Sequence, residues 1–152
     1  MADKNIIEYY AELDRYAKVF CEIADRMAKP FGGTGVDAYI LSSEVIIAMS
    51  GNEKKFYTQN DLVKEWTYPK QTVHSAVERL KKKGYLTLEP IPGNKKEKAI
   101  ILTNEGRRIV HEYIEPWTNR IIHAMERMHP DERDMLSHLM RKYLSYLKEE
   151  VN

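Results

Sequence analysis

The order of short elements between residues 61 and 106 constrains the fold of this chain more than any other feature. Hydrophobic spacing and turn-forming residues predict a helix, a tight turn, a second helix, a strand, a basic loop, a second strand and the start of a further helix. No internal repeat or linker interrupts this series. It therefore predicts a mainly α chain that carries one small β-hairpin.

The helix that follows the tight turn is predicted at residues 70–83. Its apolar side chains recur at helical spacing, which places them on one inner face. They are Val73, Ala76, Val77 and Leu80. Pro69 suits the start of a helix, and Gly84 suits the residue just beyond its end.

Capping and turn residues predict where the other elements begin and end. Thr58 and Asp61 are predicted to cap the helix that comes before the tight turn, and residues 67–69 are predicted to form the turn itself. Leu86 to Glu89 and Ala99 to Leu102 are the predicted strands, joined by a connection rich in proline and lysine. This is the arrangement of a winged helix-turn-helix, in which the second helix enters the major groove of DNA and the hairpin, or wing, lies beside it.

Long helices are predicted on both sides of this unit. Residues 4–29 carry a heptad-like apolar seam, and a second seam runs from a cap at Thr103 to about Met128, with a kink at Pro116. Pro130 opens a last helix with a broad apolar stripe. Such seams indicate a partner surface, and a second copy of the chain is the predicted partner. A monomer that folds its ends against itself is the alternative.

The predicted fold class is mainly α with a small β-wing: a winged helix-turn-helix flanked by long N- and C-terminal dimerisation helices. Residues 37–104 are assigned to the winged helix-turn-helix. Residues 4–30 and 105–150 are assigned to the helical dimerisation region, which forms one intertwined domain. Within the first of these assignments, Ser42 is predicted to cap a short helix that extends to about Ser50.

Composition limits the number of domains in such a chain and the compartments in which it is expected. Its 152 residues suit one domain, and no apolar run approaches the roughly 18 residues that span a bilayer. The N-terminal segment lacks the layout of a signal peptide. The single cysteine, Cys21, excludes an intramolecular disulfide and fits a reducing compartment. We therefore expect a cytoplasmic protein without membrane contact.

Charge is distributed unevenly along the chain. The formal net charge is only +1, yet residues 64–108 contain 11 Lys or Arg and 5 Asp or Glu, and the remainder carries a net charge of −5. The basic charge thus lies on the segment that is predicted to contact phosphate. A solvated lysine-rich face is the simpler alternative, but here the lysines coincide with the winged motif.

The strings TVHSAVERLKKKGYL and AIILTNEG carry a resemblance to a known family. The first resembles the recognition helix and wing entry of the MarR family of bacterial transcription regulators. The second resembles the junction after the wing, and the flanking helices extend the resemblance over nearly the whole chain. It implies an obligate homodimer whose two winged units bind a near-palindromic site in double-stranded DNA. It also implies a regulator, usually a repressor, whose DNA binding a ligand or an oxidant often changes.

The wing departs from the pattern of that family. Many members carry an arginine after the first wing strand and an Asp-x-Arg at the tip, where this chain has Glu89-Pro90 and Gly93-Asn94-Lys95-Lys96. The minor-groove arginine is therefore absent. Lysine is a compact, strongly hydrated charge and is a weaker replacement in a narrow groove. The departure concerns the sequence preference of the wing and not its affinity for phosphate.

Eleven side chains are predicted to contact DNA. Lys70, Gln71 and His74 are the candidates for base edges, since lysine donates to guanine and glutamine pairs with adenine. Thr72 and Ser75 are assigned to phosphate, or to a thymine methyl in the case of the threonine. The other basic side chains are assigned to phosphate. They are Arg79, Lys81, Lys82, Lys95, Lys96 and Lys98. Plain solvation on an exposed face is the alternative for Gln71 and His74.

A small aromatic effector is the commonest theme of the resembled family, and five aromatic side chains are candidates for its pocket. They are Tyr16, Phe20, Tyr39, Tyr113 and Trp117. Core and dimer packing is the alternative for each. Cys21 is a candidate redox sensor, with a small buried hydrophobe as the alternative. The spacing of the histidines does not assemble a metal site, so neither a metal nor another cofactor is predicted.

The predicted function is that of a sequence-specific DNA-binding transcription regulator, a homodimeric repressor that a small molecule relieves. The sequence has no Gly-rich phosphate loop, nucleophile elbow or HExxH motif, so an enzyme is not expected. The alternative is a helical dimer whose winged unit docks a protein partner instead of DNA. The glutamate and proline in place of the wing arginine are compatible with that alternative.

Overall fold

The structure, a computed structural model, describes residues 4–50, 55–66 and 68–151. The chain forms two compact units, Met1–Trp117 and Thr118–Asn152. The predicted fold class is confirmed, because helices predominate and the one named sheet of the described residues is a two-stranded antiparallel hairpin. The predicted separation of residues 37–104 from the flanking helices stays a prediction.

The elements follow one another in a simple order. They are α1 Lys4–Ala28, a 3-10 turn Lys29–Phe31, α2 Gly35–Ser50, α3 Gln59–Trp66, α4 Lys70–Lys82, β1 Leu86–Ile91, β2 Asn94–Leu102, α5 Asn104–Ile109, a π-helical turn Val110–Ile114, α6 Glu115–Glu126 and α7 Pro130–Val151.

Helix α2 begins well before the predicted cap. Thr34 and Asp37 form its capping box: the Thr34 N–H donates to Oδ2 of Asp37 at 2.7 Å, and the Asp37 N–H faces Oγ1 of Thr34 at 3.4 Å. Ser42 is buried inside the helix, and its hydroxyl donates to the carbonyl of Ala38 at 2.8 Å. The predicted cap at Ser42 is therefore wrong, because a serine inside a helix satisfies its hydroxyl on the preceding turn.

The helix-turn-helix itself forms as predicted. The Thr58 N–H donates to Oδ2 of Asp61 at 2.8 Å, and the Asp61 N–H donates to Oγ1 of Thr58 at 3.2 Å, which starts α3. Gly84 follows the last turn of α4 with φ +77°, a conformation that favours glycine. Thr67, in the predicted turn, lies outside the described residues. The four predicted core side chains of α4 are buried to 1% exposure or less: Val73, Ala76, Val77 and Leu80.

One apolar cluster holds the elements of the unit Met1–Trp117 together. It takes side chains from the end of α1, from α2, α3 and α4, from both strands and from the helical segment after the wing. Its most deeply buried members include Leu41, Leu80, Leu86 and Ile114. The second strand also bonds to the segment before α3, since the Ile100 N–H donates to the Tyr57 carbonyl at 2.8 Å. The apolar cluster and this hydrogen bond together hold the wing against the helix-turn-helix.

The helical segment after the wing accommodates a proline. Thr103 caps it as predicted, because its Oγ1 accepts the Gly106 N–H at 3.0 Å. The predicted disturbance at Pro116 takes the form of a π-helical turn, in which the Glu115 N–H bonds to the carbonyl of Val110, five residues earlier. Proline lacks an N–H and its ring crowds the preceding turn, so a wider turn just before it relieves both problems.

The flanking helices expose apolar side chains. In the unit Met1–Trp117, α1 exposes Ile6, Ile7, Tyr9, Tyr10, Tyr16, Val19 and Phe20. In the unit Thr118–Asn152, α7 opens at Pro130 as predicted and exposes Met135, Leu136, Leu139, Met140, Tyr143, Leu144, Tyr146 and Leu147. Apolar patches of this kind mark contact surfaces. None of the helices in the described residues has the length and apolar character to cross a membrane.

Candidate nucleic-acid interface

Helix α4 exposes a polar face opposite its buried one. Lys70, Gln71, His74 and Ser75 are exposed, and Thr72 is half-buried. Lys70, Gln71, His74 and Ser75 are the side chains among these that the helical spacing predicts on the outer face. Because these side chains are exposed, they can contact the groove of a DNA duplex.

The ring of His74 is held in place by the neighbouring helix. Its Nδ1 lies 3.2 Å from Oε1 of Gln59, the first residue of α3. The amide oxygen is an acceptor, so Nδ1 of His74 donates in this contact. The contact links the exposed surfaces of the two helices of the helix-turn-helix.

An open cleft of about 690 Å³ lies between the start of α3, the start of α4 and the wing. Its walls carry Thr58, Gln59, Asn60, Val63, Lys70, Leu88, Asn94, Lys96, Glu97 and Lys98. The cleft thus brings together three of the predicted DNA-binding lysines, one from α4 and two from the wing. Positive charge on opposite walls of a cleft concentrates anionic ligands.

The lysine-bearing tip of the wing is shaped by Asn94. Its Oδ1 accepts the N–H of Lys96 at 3.0 Å and the N–H of Glu97 at 3.2 Å. The turn that precedes it contains Gly93 at φ +77°, with open space around the position of a Cβ. Lys95, at the tip, is exposed beside Lys96. Lys95 and Lys96 therefore lie on one ordered turn, and Lys98 follows in the paired part of the strand.

Arg79 differs from the other predicted contacts. Its Nε donates to Oδ2 of Asp37 at 3.0 Å, and its terminal nitrogen donates to Oδ1 of the same carboxylate at 2.7 Å and to Oγ1 of Thr34 at 3.2 Å. The hydrogen bonds to Asp37 raise the pKa of Arg79 above its ordinary value. Asp37 is fully buried, so Arg79 joins α4 to α2. Its predicted contact with phosphate stays a prediction.

The last turn of α4 carries two further predicted contacts and one residue that was not predicted. Lys81 and Lys82 are exposed, and Lys81 makes a weak surface pair with Glu78 at 3.5 Å. Lys83 instead donates to the carbonyls of Phe31 at 3.1 Å and Gly32 at 2.5 Å. The end of α4 is thereby tied to the junction between α1 and α2.

A similarity to a known family lies in the winged segment. Residues 42–97, which contain α3, α4 and the first part of the wing, match a family model described as MarR family. The match covers less than half of the chain. A comparison with curated proteins finds no match.

Solved structures of MarR regulators share this fold. MepR of Staphylococcus aureus in its DNA-binding conformation has a TM-score of 0.76 and 19% identity, over 91% of this chain and 98% of that one. Sco3205, a MarR-family regulator of Streptomyces coelicolor in complex with DNA, has a TM-score of 0.70 and 20% identity, over 97% and 89%. BpsR of Bordetella bronchiseptica, whose DNA binding is described as regulated by 6-hydroxynicotinic acid, has a TM-score of 0.64 and 22% identity, over 90% and 98%.

The candidate effector residues have three kinds of surroundings. Tyr16 and Phe20 are exposed on α1. Tyr39 contacts Tyr68 with ring centroids 6.3 Å apart, and burial raises the pKa of both phenols. The other two candidates, Tyr113 and Trp117, pack half-buried against the core. An effector pocket formed by these side chains stays a prediction.

Two other possible sites were considered from the sequence, a redox-active Cys21 and a metal site. Cys21 is exposed on α1, so it does not act as a buried hydrophobe within this chain. Within the part of the chain that the structure describes, no group of three His, Cys, Asp or Glu side chains could hold a metal ion.

Two side chains of the winged unit were not predicted from the sequence. Gln59 holds His74, and Glu97 accepts a hydrogen bond from Thr58 across the cleft at 3.3 Å. Both contacts join elements that are distant in the sequence. The only local signal was that Gln59 follows a capping threonine and therefore lies at the exposed start of a helix.

Proposed function

We propose that this chain is a homodimeric, sequence-specific DNA-binding protein that acts in the cytoplasm as a repressor and is released by a small-molecule effector. One observation carries the proposal of DNA binding: Lys70 of α4 and Lys96 and Lys98 of the wing converge on one cleft. A duplex has phosphate on both sides of each groove. A helix and a wing that both carry lysines into one cleft are suited to contact the phosphates on both sides of a groove.

The side chains divide into two groups by their chemistry. The exposed amide of Gln71 and the ring of His74 lie on the face of α4 that would enter a major groove, where they are assigned to base edges. The lysines of the last turn and of the wing are assigned to phosphate. Thr72 and Ser75 are assigned to the backbone of the same half-site.

The exposed apolar faces of α1 and α7 support the proposal of a homodimer. Each face belongs to a long helix and contains aromatic and branched side chains that water would otherwise surround. A two-fold axis between two copies would present two α4 helices to DNA, which matches a near-palindromic site with half-sites about one helical turn apart. Residues 4–30 and 105–150 are assigned to this contact, and residues 37–104 to DNA.

Release by an effector is proposed from the aromatic side chains of α1 and α2 and from Tyr68. Tyr39 is half-buried beside Tyr68, and Tyr16 and Phe20 are exposed on α1. A planar aromatic ligand suits side chains of this kind. The regulation described for the Bordetella protein is a precedent for a small aromatic acid as the ligand.

The salt dependence of DNA binding tests the proposal. If each subunit neutralises about four phosphates, the logarithm of the binding constant should fall with the logarithm of salt concentration at a slope near −7 for the dimer. Sedimentation equilibrium of the same sample should give a mass twice that of the 17.9 kDa chain. Weak DNA binding, together with salt-insensitive binding to a protein partner, would favour the winged unit as a protein-docking module.

A further inference from the structure

One acidic side chain lies in the lysine-lined cleft. Among the described residues that form its walls, Glu97 is the only one with a carboxylate, and it lies beside Lys96 and Lys98 in sequence. A carboxylate repels phosphate, so its position in a surface assigned to DNA requires a reason other than attraction.

The carboxylate of Glu97 connects the wing to the start of α3. The hydroxyl of Thr58 donates to Oε1 of Glu97 at 3.3 Å, and Nδ2 of Asn94 donates to Oε2 at 3.1 Å. Thr58 is buried and is itself fixed by the capping box with Asp61. A chain of hydrogen bonds therefore runs from the core-facing end of α3 to the tip of the wing.

The tip of the wing depends on this chain because the regular strand pairing ends before it. The last regular pair is Pro90 with Lys98, and the register then shifts so that Ile91 pairs with Asn94. Residues 95–97 have no partner in that register. Proline offers no N–H to the ladder, which accounts for the irregularity at this point. The side chains of Asn94 and Glu97 supply the hydrogen bonds that the ladder lacks.

We propose that Glu97 is a positioning residue for DNA recognition: its hydrogen bonds to Thr58 and Asn94 hold the lysine-bearing tip of the wing at a fixed place over the cleft. The inference rests on the proposed function, in which the wing contacts DNA. The hydrogen bonds of Glu97 favour DNA binding because they position the wing, whereas its negative charge opposes DNA binding. Because these two effects have opposite signs, two substitutions separate them.

The substitution Glu97→Gln removes the charge and keeps the hydrogen bonds. The amide oxygen of glutamine accepts from Nδ2 of Asn94, and the amide nitrogen donates to Oγ1 of Thr58, which has a second lone pair beside the one used by the Asp61 N–H. The substitution Glu97→Ala removes both the charge and the hydrogen bonds. Glu89→Gln, at an exposed position of β1, is the matched control for the loss of one negative charge from the wing.

The experiment compares binding of the full-length variants to two duplexes: one recovered by selection from a random library, and a shuffled duplex of the same composition. For Glu97→Ala we expect the ratio of the two affinities to fall by about tenfold, the loss that corresponds to two hydrogen bonds. For Glu97→Gln and Glu89→Gln we expect both affinities to rise together, with the ratio unchanged. An unchanged ratio in Glu97→Ala, or an equal loss in Glu97→Gln, would overturn the inference.

Amide hydrogen exchange distinguishes a failure of this inference from a failure of the proposed function. The N–H groups of Lys96 and Glu97, which donate to Asn94, should exchange faster in Glu97→Ala than in the wild type and Glu97→Gln, without any DNA present. If the wild-type chain selects no duplex, the proposed function fails. Equal exchange rates in all three proteins would show that Glu97 does not order the tip.

Discussion

Arg79 of α4 binds Asp37 of α2 through two hydrogen bonds of 2.7 and 3.0 Å, and the Asp37 side chain is fully buried whereas that of Arg79 is 38% exposed. The same carboxylate caps α2 by accepting the Thr34 N–H. One aspartate therefore fixes both the start of α2 and the position of α4 relative to it. Loss of the arginine would leave a buried carboxylate without its cation.

We expect Arg79→Met to lower the free energy of unfolding by about 2–3 kcal/mol, somewhat less than the loss of a fully buried ion-pair partner because Arg79 is partly solvated. Urea unfolding measures this change. Lys81→Met, in the same turn of α4 and paired only at the surface, is the control, with an expected change within about 0.5 kcal/mol. Equal stability of the two variants would mean that the pair contributes nothing beyond a surface contact.

Gly106 lies in the segment after the wing, against the backbone of Tyr85. A Cβ at this position would be 1.8 Å from the carbonyl oxygen of Tyr85 and 2.8 Å from its carbonyl carbon. Both are backbone atoms, so the contact is relieved only if the backbone moves. Gly106→Ala should therefore destabilise the chain by about 3 kcal/mol or more.

Gly93→Ala is the control for the destabilisation predicted for Gly106→Ala. A Cβ at Gly93 meets open space, but its φ of +77° is unfavourable for alanine, so a loss of about 1–2 kcal/mol is expected. Thermal and urea unfolding of both variants measures the difference. A Gly106→Ala chain as stable as Gly93→Ala would contradict the close approach at Tyr85.

Glu44 gives the stability of the fold a pH dependence. Burial raises the pKa of Glu44 above its ordinary value of 4.5, and Oε1 is buried without a hydrogen-bond partner in the part of the chain that the structure describes. The folded chain thus keeps this proton at a higher pH than the unfolded chain. The contribution of Glu44 to the free energy of unfolding is most favourable below 4.5 and is lost as the pH rises through the folded-state pKa.

Glu44→Gln should therefore raise the free energy of unfolding at pH 7, and this advantage should shrink as the pH is lowered toward 4.5. Urea titrations at several pH values measure it. Glu12→Gln, at an exposed position of α1, is the control and should show no such trend. A Glu44→Gln chain that is less stable than the wild type at pH 7 would mean that the charge of Glu44 is compensated.

The contacts of the helix-turn-helix that the sequence predicted are local ones. The Thr58–Asp61 capping box, the inner face of α4 and the glycine after it each depend on residues within a few positions of one another. The Arg79–Asp37 pair joins residues 42 positions apart, so no local pattern distinguishes Arg79 from the lysines beside it. The same applies to Thr58–Glu97, which joins residues 39 positions apart.

The start of α2 was missed for a different reason. Thr34 and Asp37 have the same spacing as Thr58 and Asp61, so the capping signal was present in the sequence. The glycines around Thr34 indicated a loop, and Ser42 lay directly before an apolar run. Burial decides between the two candidates, because the Ser42 hydroxyl has a carbonyl partner inside the helix and does not need to cap it.

Gln71 is predicted to contribute to sequence recognition. Gln71→Ala should weaken binding to the selected duplex by about 1–3 kcal/mol and relax the preference at one base pair of each half-site. Binding to a shuffled duplex should not change. Fluorescence anisotropy titrations measure both affinities, and an equal loss on both duplexes would show that Gln71 does not contact a base.

The wing lysines are predicted to contribute to phosphate binding. The double substitution of Lys95 and Lys96 with alanine should weaken binding to all duplexes and flatten the salt slope by about 3.6, because a dimer would lose two phosphate contacts per subunit at about 0.9 each. Titrations across a salt series measure the slope. An unchanged slope would mean that the wing tip does not touch DNA.

The measurement that tests the central claim most directly is selection of bound fragments from a random duplex library by the wild-type protein, followed by titration of the recovered fragments over a salt series. The account predicts an inverted repeat with half-sites about one helical turn apart, bound with a steep salt dependence. Recovery of no motif, with weak binding that disappears near physiological salt, would contradict it.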